Sequence, residues 1–253
     1  MRPSLTELRA VAQPPSLTGR TSAEHWAGKL YMRRLSLHAT RFLVGTPVSA
    51  NTLTGLMILV GLAAAAVATV PTLWAALLTV IGIQAYLLLD CSDGEVARWR
   101  GTTGPVGVYL DRLGHYVVEA ALIAAIGLRA DAGHPAGWTL LGLLGSVFVL
   151  LNKAETDLVG TARASAALPL VTDAAAVPRA AGVRRARSVA SRLRFHRAIG
   201  AVELSLLLGV AAASDALAGS LQTTRVLVAI VVPLAGVVAV GHLLSVLSSN
   251  RLR

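Results

Sequence analysis

The feature that most constrains this chain is a series of six apolar runs, near residues 52–70, 72–90, 106–129, 137–153, 198–218 and 224–247. Each approaches or reaches the ~20 residues that a helix needs to cross the hydrocarbon layer of a bilayer. Backbone N–H and C=O groups find no water there, so each run must close its hydrogen bonds within itself, as a helix. The expected fold class is therefore an all-α integral membrane protein with six transmembrane helices. Composition agrees: 14% of the residues are charged and the mean hydropathy is +0.65, whereas a soluble domain carries about 25% charged residues. Pro71 makes the first interhelical turn tight, and "DAGHPAG" and "ASDALAGSLQTT" separate the later spans.

The chain divides into a polar N-terminal segment, 1–45, and a six-helix domain, 46–253, which contains a long basic loop at 156–197. Within the first segment, "AEHWAGKLYMRRLSLHATRFLV" sets apolar residues at helical spacing beside Lys29, Arg33, Arg34 and Arg41. That pattern predicts an amphipathic helix lying on the membrane surface ahead of the first span. No apolar signal-peptide core is visible in the first 40 residues. With both termini placed inside, Arg129 and Arg225 alone fall outside, leaving 21 of the 23 Lys and Arg residues on the inner side. The positive-inside bias favours this orientation, and basic inner faces attract anionic lipid headgroups. The net charge of +10 thus has a membrane explanation. Nucleic acid is not an expected partner, because aromatics are scarce and the basic residues flank apolar runs. A single cysteine, Cys91, excludes an intrachain disulfide.

One stretch breaks the apolar pattern: "LLLDCSDGEVARWRGTTGPVGVYLDRLGHYVVEA", Leu87 to Ala120. Asp90 and Asp93 share a helix face at the end of the second run. Gly107, Asp111 and His115, spaced by four, form a stripe on the third. The short glycine-rich connection makes these two helices antiparallel neighbours, so the stripes can face one another across a cavity. Clustered carboxylates repel unless a cation sits among them, and oxygen-rich clusters suit magnesium or manganese. Two such ions can clamp a diphosphate. Gly94 leaves room beside Asp93 for a phosphate to approach, and Arg98 offers a planar fork to one. A purely structural set of salt bridges is the alternative, but ionisable clusters inside membranes usually mark function.

The stretch reads Asp90-x2-Asp93-Gly94-x2-Ala97-Arg98-x8-Gly107-x3-Asp111-x3-His115. It resembles the signature of the CDP-alcohol phosphatidyltransferase family, D-x2-D-G-x2-A-R-x8-G-x3-D-x3-D, with His115 in place of the last aspartate. "TPVSANTLTGL" is similar to the family's Pro-Asn-x2-Thr entry to the first span through Asn51 and Thr54, although Pro47 does not directly precede Asn51. Six spans, cytoplasmic termini and a leading surface helix are similar to the family architecture. The resemblance implies transfer of a phosphatidyl or related phosphoalcohol group from a CDP-linked donor, with CDP-diacylglycerol the expected one, to an alcohol hydroxyl, with release of CMP. It implies that Asp90, Asp93, Asp111 and the residue at 115 hold two divalent cations, Mg2+ or Mn2+. It further implies that Asn51, Thr54, Asp90, Gly94, Ala97, Arg98 and Gly107 line the donor site. A homodimer in a bacterial-type cytoplasmic membrane is expected, with the active site on the cytoplasmic side.

The departure at position 115 leaves three readings. His115 is the base for the acceptor hydroxyl, an imidazole being suited to proton transfer near neutral pH; or the chain binds nucleotide-lipid with weak or no turnover; or His115 merely packs and another group is the base. As a metal ligand it brings no negative charge, so a second cation is held less tightly. Glu119, one turn further on, is expected either to orient the imidazole or to make an inter-helix hydrogen bond. A small alcohol or phosphorylated polyol acceptor would find cations at Lys153, Arg194 and Arg197, although positive-inside anchoring explains each of these residues singly better. Glu203 and His242 are expected in buried helix contacts. An ion or solute transporter is the rival class, but the charges gather at one membrane face and no internal repeat is visible.

Overall fold

The computed structural model describes residues 3–14, 26–169, 182 and 199–252, and the regular structure among them is helical. A short helix not expected from the sequence, α1 (Leu5–Ala12), comes first. It is started by a capping box, in which the Ser4 hydroxyl accepts from the Glu7 amide and the Ser4 amide donates to the Glu7 carboxylate. The hydrogen bonds from Ser4 hold this exposed carboxyl below its ordinary range. A π-type turn, Gly28–Met32, leads into α2 (Arg33–Leu43). Six long apolar helices follow: α3 (Ala50–Ala68), α4 (Leu73–Arg100), α5 (Pro105–Ala130), α6 (Gly137–Ser165), α7 (Ala201–Ala218) and α8 (Gln222–Leu247). Each is long and apolar enough to cross a membrane. Leu59, Trp74, Ile81, Val210, Leu217 and Val237 all stand exposed on these helices. Such surfaces are stable against lipid and not against water.

Two compact units form, Met1–Ala64 with Leu78–Val118, and Ala65–Leu77 with Glu119–Arg253. In the first, α4 does not stop near Asp90 as the apolar run suggested. It continues to Arg100, and the expected connection from Asp90 to Pro105 shrinks to four residues. Gly101, at φ +64°, ends α4 in the left-handed conformation that a side chain resists, and Pro105 opens α5 at a position that needs no amide donor. The polar extension is helical because its side chains find partners. Glu95 is fully buried and accepts from Gln13 Nε2 (2.7 Å), Ser36 Oγ (2.6 Å) and Thr40 Oγ1 (2.7 Å), with Arg33 Nη1 at 3.7 Å. Arg98 Nε donates to the Ala12 carbonyl at 2.6 Å. Arg100 donates to the carbonyls of Leu43, Thr46 and Val48, closing the C-terminal end of α2.

These contacts define the orientation of α2. Its buried face carries Ser36, Leu37 and Thr40, while Leu35 and Phe42 are exposed. The hydroxyls turn inward because a buried carboxylate waits for them, and the large apolar groups are left for the lipid interface. Removing that carboxylate strands several buried donors and a cation. Glu95→Ala is expected to cost about 3–5 kcal/mol, read as a lowered thermal midpoint in detergent, and Glu95→Gln less. An unchanged midpoint for Glu95→Ala would contradict this account.

In the second unit, α5 and α6 cross at backbone contact. A Cβ on Gly127 would lie 2.6 Å from the Trp138 carbonyl oxygen and 2.9 Å from the Gly142 Cα, so small residues set this approach. The Ser146 hydroxyl donates across it to the Ala120 carbonyl at 2.6 Å. Aspartates tie the turns after α5 and α7 to the helices that follow them. Asp131 accepts from the amides of Ala136 and Thr139, and Asp215 from those of Thr223 and Thr224, filling the unmet donors of a helix start. The buried Arg129 donates to the carbonyls of Val70 and Thr72. The fourth span also runs on, to Ser165 rather than 153, so the opening of the expected 156–197 loop is helical.

Candidate active site

The site is assembled in the first unit from α2, α3, α4 and α5. A cavity of ≈ 280 Å³ is lined by Asn51 and Thr54 of α3, by Asp90, Asp93, Gly94, Ala97 and Arg98 of α4, and by Gly107 and Asp111 of α5. Arg33, Cys91 and the loop residues Thr102, Thr103 and Gly104 complete much of the wall. Residues as far apart in sequence as Arg33 and Asp111 thus share one concave surface.

Asp90, Asp111 and His115 converge. Each offers a ligand atom, and these atoms lie within 4.8 Å of one another. His115 Nε2 is 3.1 Å from Asp90 Oδ1 and 3.6 Å from Asp111 Oδ1. Two carboxylates and an imidazole nitrogen make a donor set that fits a divalent cation, and the nitrogen moves its preference from magnesium toward manganese and its neighbours. The paired negative charge of Asp90 and Asp111 is a physical reason for a cation there.

Asp93 stands outside this group. Its Oδ2 accepts from the Thr54 hydroxyl at 2.5 Å and its Oδ1 from the Gly94 amide at 2.5 Å. Thr54 therefore fixes the Asp93 carboxylate, while its own hydroxyl lies 3.1 Å from the Ala50 carbonyl. Among the described residues one three-residue group has the spacing of a metal site, where the sequence led to an expectation of two cations. Gly94 has a different neighbour from the one expected. A Cβ there would meet Arg98 Nη1 at 2.9 Å, so the space beside Asp93 admits the Arg98 guanidinium. At Gly107 a Cβ would sit 3.4 Å from Asn51 Oδ1, so the glycine lets α3 and α5 bring Asn51 to the cavity.

The imidazole is oriented by a residue the sequence did not single out. The Tyr86 hydroxyl lies 2.6 Å from His115 Nδ1, with the two rings edge to face, and Tyr86 is 2% exposed. Of the two parts expected for Glu119 the structure has the inter-helix one, since Glu119 pairs with Lys153 Nζ at 3.0 Å and the imidazole is met by Tyr86 instead. Lys153, expected to face the acceptor, is accordingly held by a carboxylate. Arg194 and Arg197 lie outside the described residues. His242 makes a half-buried contact with Asn152 Oδ1 at 2.9 Å, and Arg251 Nη1 lies 3.2 Å from its other ring nitrogen. Cys91 is a buried free thiol at the cavity wall.

A sequence model of the CDP-alcohol phosphatidyltransferases matches residues 47–247. The chain belongs to this family. A search of curated proteins finds no match. Membership makes the chain a transferase of the kind that moves a substituted phosphate group from a CDP-alcohol to an alcohol acceptor, within a membrane, and the family uses a divalent metal. The matched region contains the whole Asp90–His115 signature and both Asn51 and Thr54, but it begins after Arg33. Tyr86 and Arg33 could have been suggested by sequence only weakly. Tyr86 is a polar-tipped residue one helical turn before Asp90, and Arg33 is one of several basic residues on a surface helix.

Proposed function

We propose that this transferase moves a phosphatidyl group from a CDP-linked lipid, CDP-diacylglycerol in the first place, to the hydroxyl of a small alcohol or phosphorylated polyol, as a step of phospholipid or polar-lipid synthesis. The observation that carries the reading is the convergence of Asp90, Asp111 and His115 beside a cavity lined by Asn51, Thr54, Gly94, Arg98 and Gly107. The cytoplasmic face of a bacterial-type membrane is the side we assign to the site, and a homodimer is the assembly we expect.

Asp90 and Asp111 would hold a divalent cation, with Asp93, fixed by Thr54, completing its surroundings, and the Nε2 lone pair of His115 would be kept for the acceptor proton. Such an ion supplies charge neutralisation to a diphosphate and to the departing CMP. Arg98, anchored through Nε on the Ala12 carbonyl, presents its remaining N–H groups to phosphate oxygens. In the transfer, the acceptor hydroxyl oxygen forms a bond to the donor phosphorus next to the lipid, and the bond from that phosphorus to the CMP oxygen breaks with its electron pair. The acceptor proton goes to His115 Nε2. For that the Nε2 lone pair must be available, which places the ring proton on Nδ1, donating to the Tyr86 oxygen. The resulting imidazolium is stabilised by Asp90 and Asp111 at 3.1 Å and 3.6 Å.

The test is incubation of the purified protein with CDP-diacylglycerol, Mn2+ or Mg2+, and a panel of alcohol and polyol-phosphate acceptors, reading CMP and product lipids by mass. A metal-dependent phosphatidyl product is expected. Products formed only from a CDP-choline-type donor would overturn the donor assignment. The imidazole at 115 favours one second reading, a nucleotide-lipid binder without turnover, and CDP-donor binding with no product from any donor or acceptor would establish it.

A further inference from the structure

We propose that α1 (Leu5–Ala12) is a positioning element of the donor site: the carbonyl at its C-terminal end holds the Arg98 guanidinium in place for the phosphate groups of the CDP-linked donor. The proposal rests on the donor reading above and gives a part to a segment that lies before the family match. α1 and the residues it meets belong to the first unit. Its eight residues are too few for a helix that stands alone in water, where about 12–15 are needed, so its form depends on docking. Leu8 and Ala12 are fully buried in a cluster with Leu37 of α2, and Leu5, Val44 and Trp99 pack around them. Trp99 is the neighbour of Arg98 on α4. Both ends of the segment are tied as well. Arg41 Nε donates to the Pro3 carbonyl at 2.9 Å, and Gln13 Nε2 donates to Glu95 Oε1 at 2.7 Å and to the Arg33 carbonyl at 2.8 Å.

The last carbonyls of a helix have no partner within it and carry the negative end of its dipole. Arg98 meets that end of α1, its Nε donating to the Ala12 carbonyl at 2.6 Å. The same guanidinium lies against Gly94, where a Cβ would come within 2.9 Å of Nη1. The bond on one side and the bare glycine on the other fix a long side chain that lines the cavity with Asp90, Asp93 and Asp111. An arginine left to itself samples many rotamers, and ordering it on a ligand lowers affinity. With α1 docked, that ordering is done before the donor arrives. A helix that served stability alone could bury Leu8 and Ala12 without setting its terminal carbonyl on a residue of the cavity wall.

The experiment is calorimetric titration of Mn2+, and then of CDP in its presence, into the purified full-length protein in detergent. Leu8→Asp puts a charge into the buried face of α1 and should undock it. CDP is then expected to bind about tenfold more weakly, the scale on which ordering one long side chain costs affinity. Mn2+ binding should stay within about twofold, because Asp90, Asp111 and His115 are carried by α4 and α5. Leu8→Met, which keeps the packing, should recover most of the CDP affinity. Leu8→Ala is the milder variant, with an expected loss of about threefold, and it carries the test if Leu8→Asp does not fold. Unchanged CDP affinity in the folded variant would overturn the proposal. So would an equal fall in Mn2+ affinity, which marks general loosening of the unit. Failure of the unmodified protein to bind CDP would overturn the donor reading itself, and this assignment with it.

Discussion

Asp90→Asn should leave a folded protein that binds Mn2+ poorly and releases CMP roughly two to three orders of magnitude more slowly, the usual scale for losing one charged group at a reacting phosphoryl or acyl centre. Asp90 is the member of the cluster nearest the imidazole, with Oδ1 3.1 Å from His115 Nε2, and its partner Asp111 lies within the same 4.8 Å group. The amide keeps the volume and one oxygen but removes the charge that offsets a cation. Two readouts separate the possible causes. Manganese binding, followed by electron paramagnetic resonance, reports on the cluster, and CMP release reports on transfer. A full rate with full metal binding in Asp90→Asn would remove the cluster from the chemistry.

The second large effect concerns position 115. His115→Ala is expected to lower transfer by about 10²–10⁴, the contribution of a positioned general base. His115→Asp should keep a substantial part of the rate, because an aspartate there restores the family signature that this chain otherwise follows. Tyr86 makes the two variants differ in an informative way. Its hydroxyl contacts Nδ1 at 2.6 Å, a contact a shorter carboxylate does not reproduce, so Tyr86→Phe should slow the natural enzyme and leave His115→Asp nearly unaffected. An unchanged rate for His115→Ala would end the case for His115 as the base. Equal effects of Tyr86→Phe in both backgrounds would end the case for Tyr86 as its positioning residue.

Much of this architecture was legible because hydrophobic run length is a strong signal. The six spans follow from it, and α5 begins and ends within a residue of the run that predicted it. The polar boundaries were less legible. α4 passes Asp90 and goes on to Arg100 because Glu95, Arg98 and Arg100 all bond to the N-terminal segment, and nothing local in "GEVARWRG" announces partners more than 50 residues away. α1 carried a readable sign, the Ser4 and Glu7 capping box, in a stretch otherwise read as polar lead-in. The surface helix was visible as amphipathic, but the pattern could not say that its hydroxyls would face inward, since that depends on one buried carboxylate. At the site, the spacing rule placed Asp111 and His115 on one stripe correctly. It could not separate Asp93, held by Thr54, from the Asp90 group, because helical spacing gives a shared face and not a shared ligand.

The length of α4 has a consequence for where in the bilayer the substrate is met. Its 28 residues extend about 42 Å, against a hydrocarbon thickness of about 30 Å. Asp90 lies about 26 Å along the axis from Leu73, and Asp93 about 30 Å. Were Leu73 at one edge of the hydrocarbon layer, the carboxylates would fall at the opposite edge, at the level of the lipid headgroups. In that placement transfer is expected to vary with bilayer thickness, a thicker hydrocarbon layer drawing the carboxylates below the headgroup plane and a thinner one leaving them above it, as rates in vesicles of increasing acyl-chain length would show.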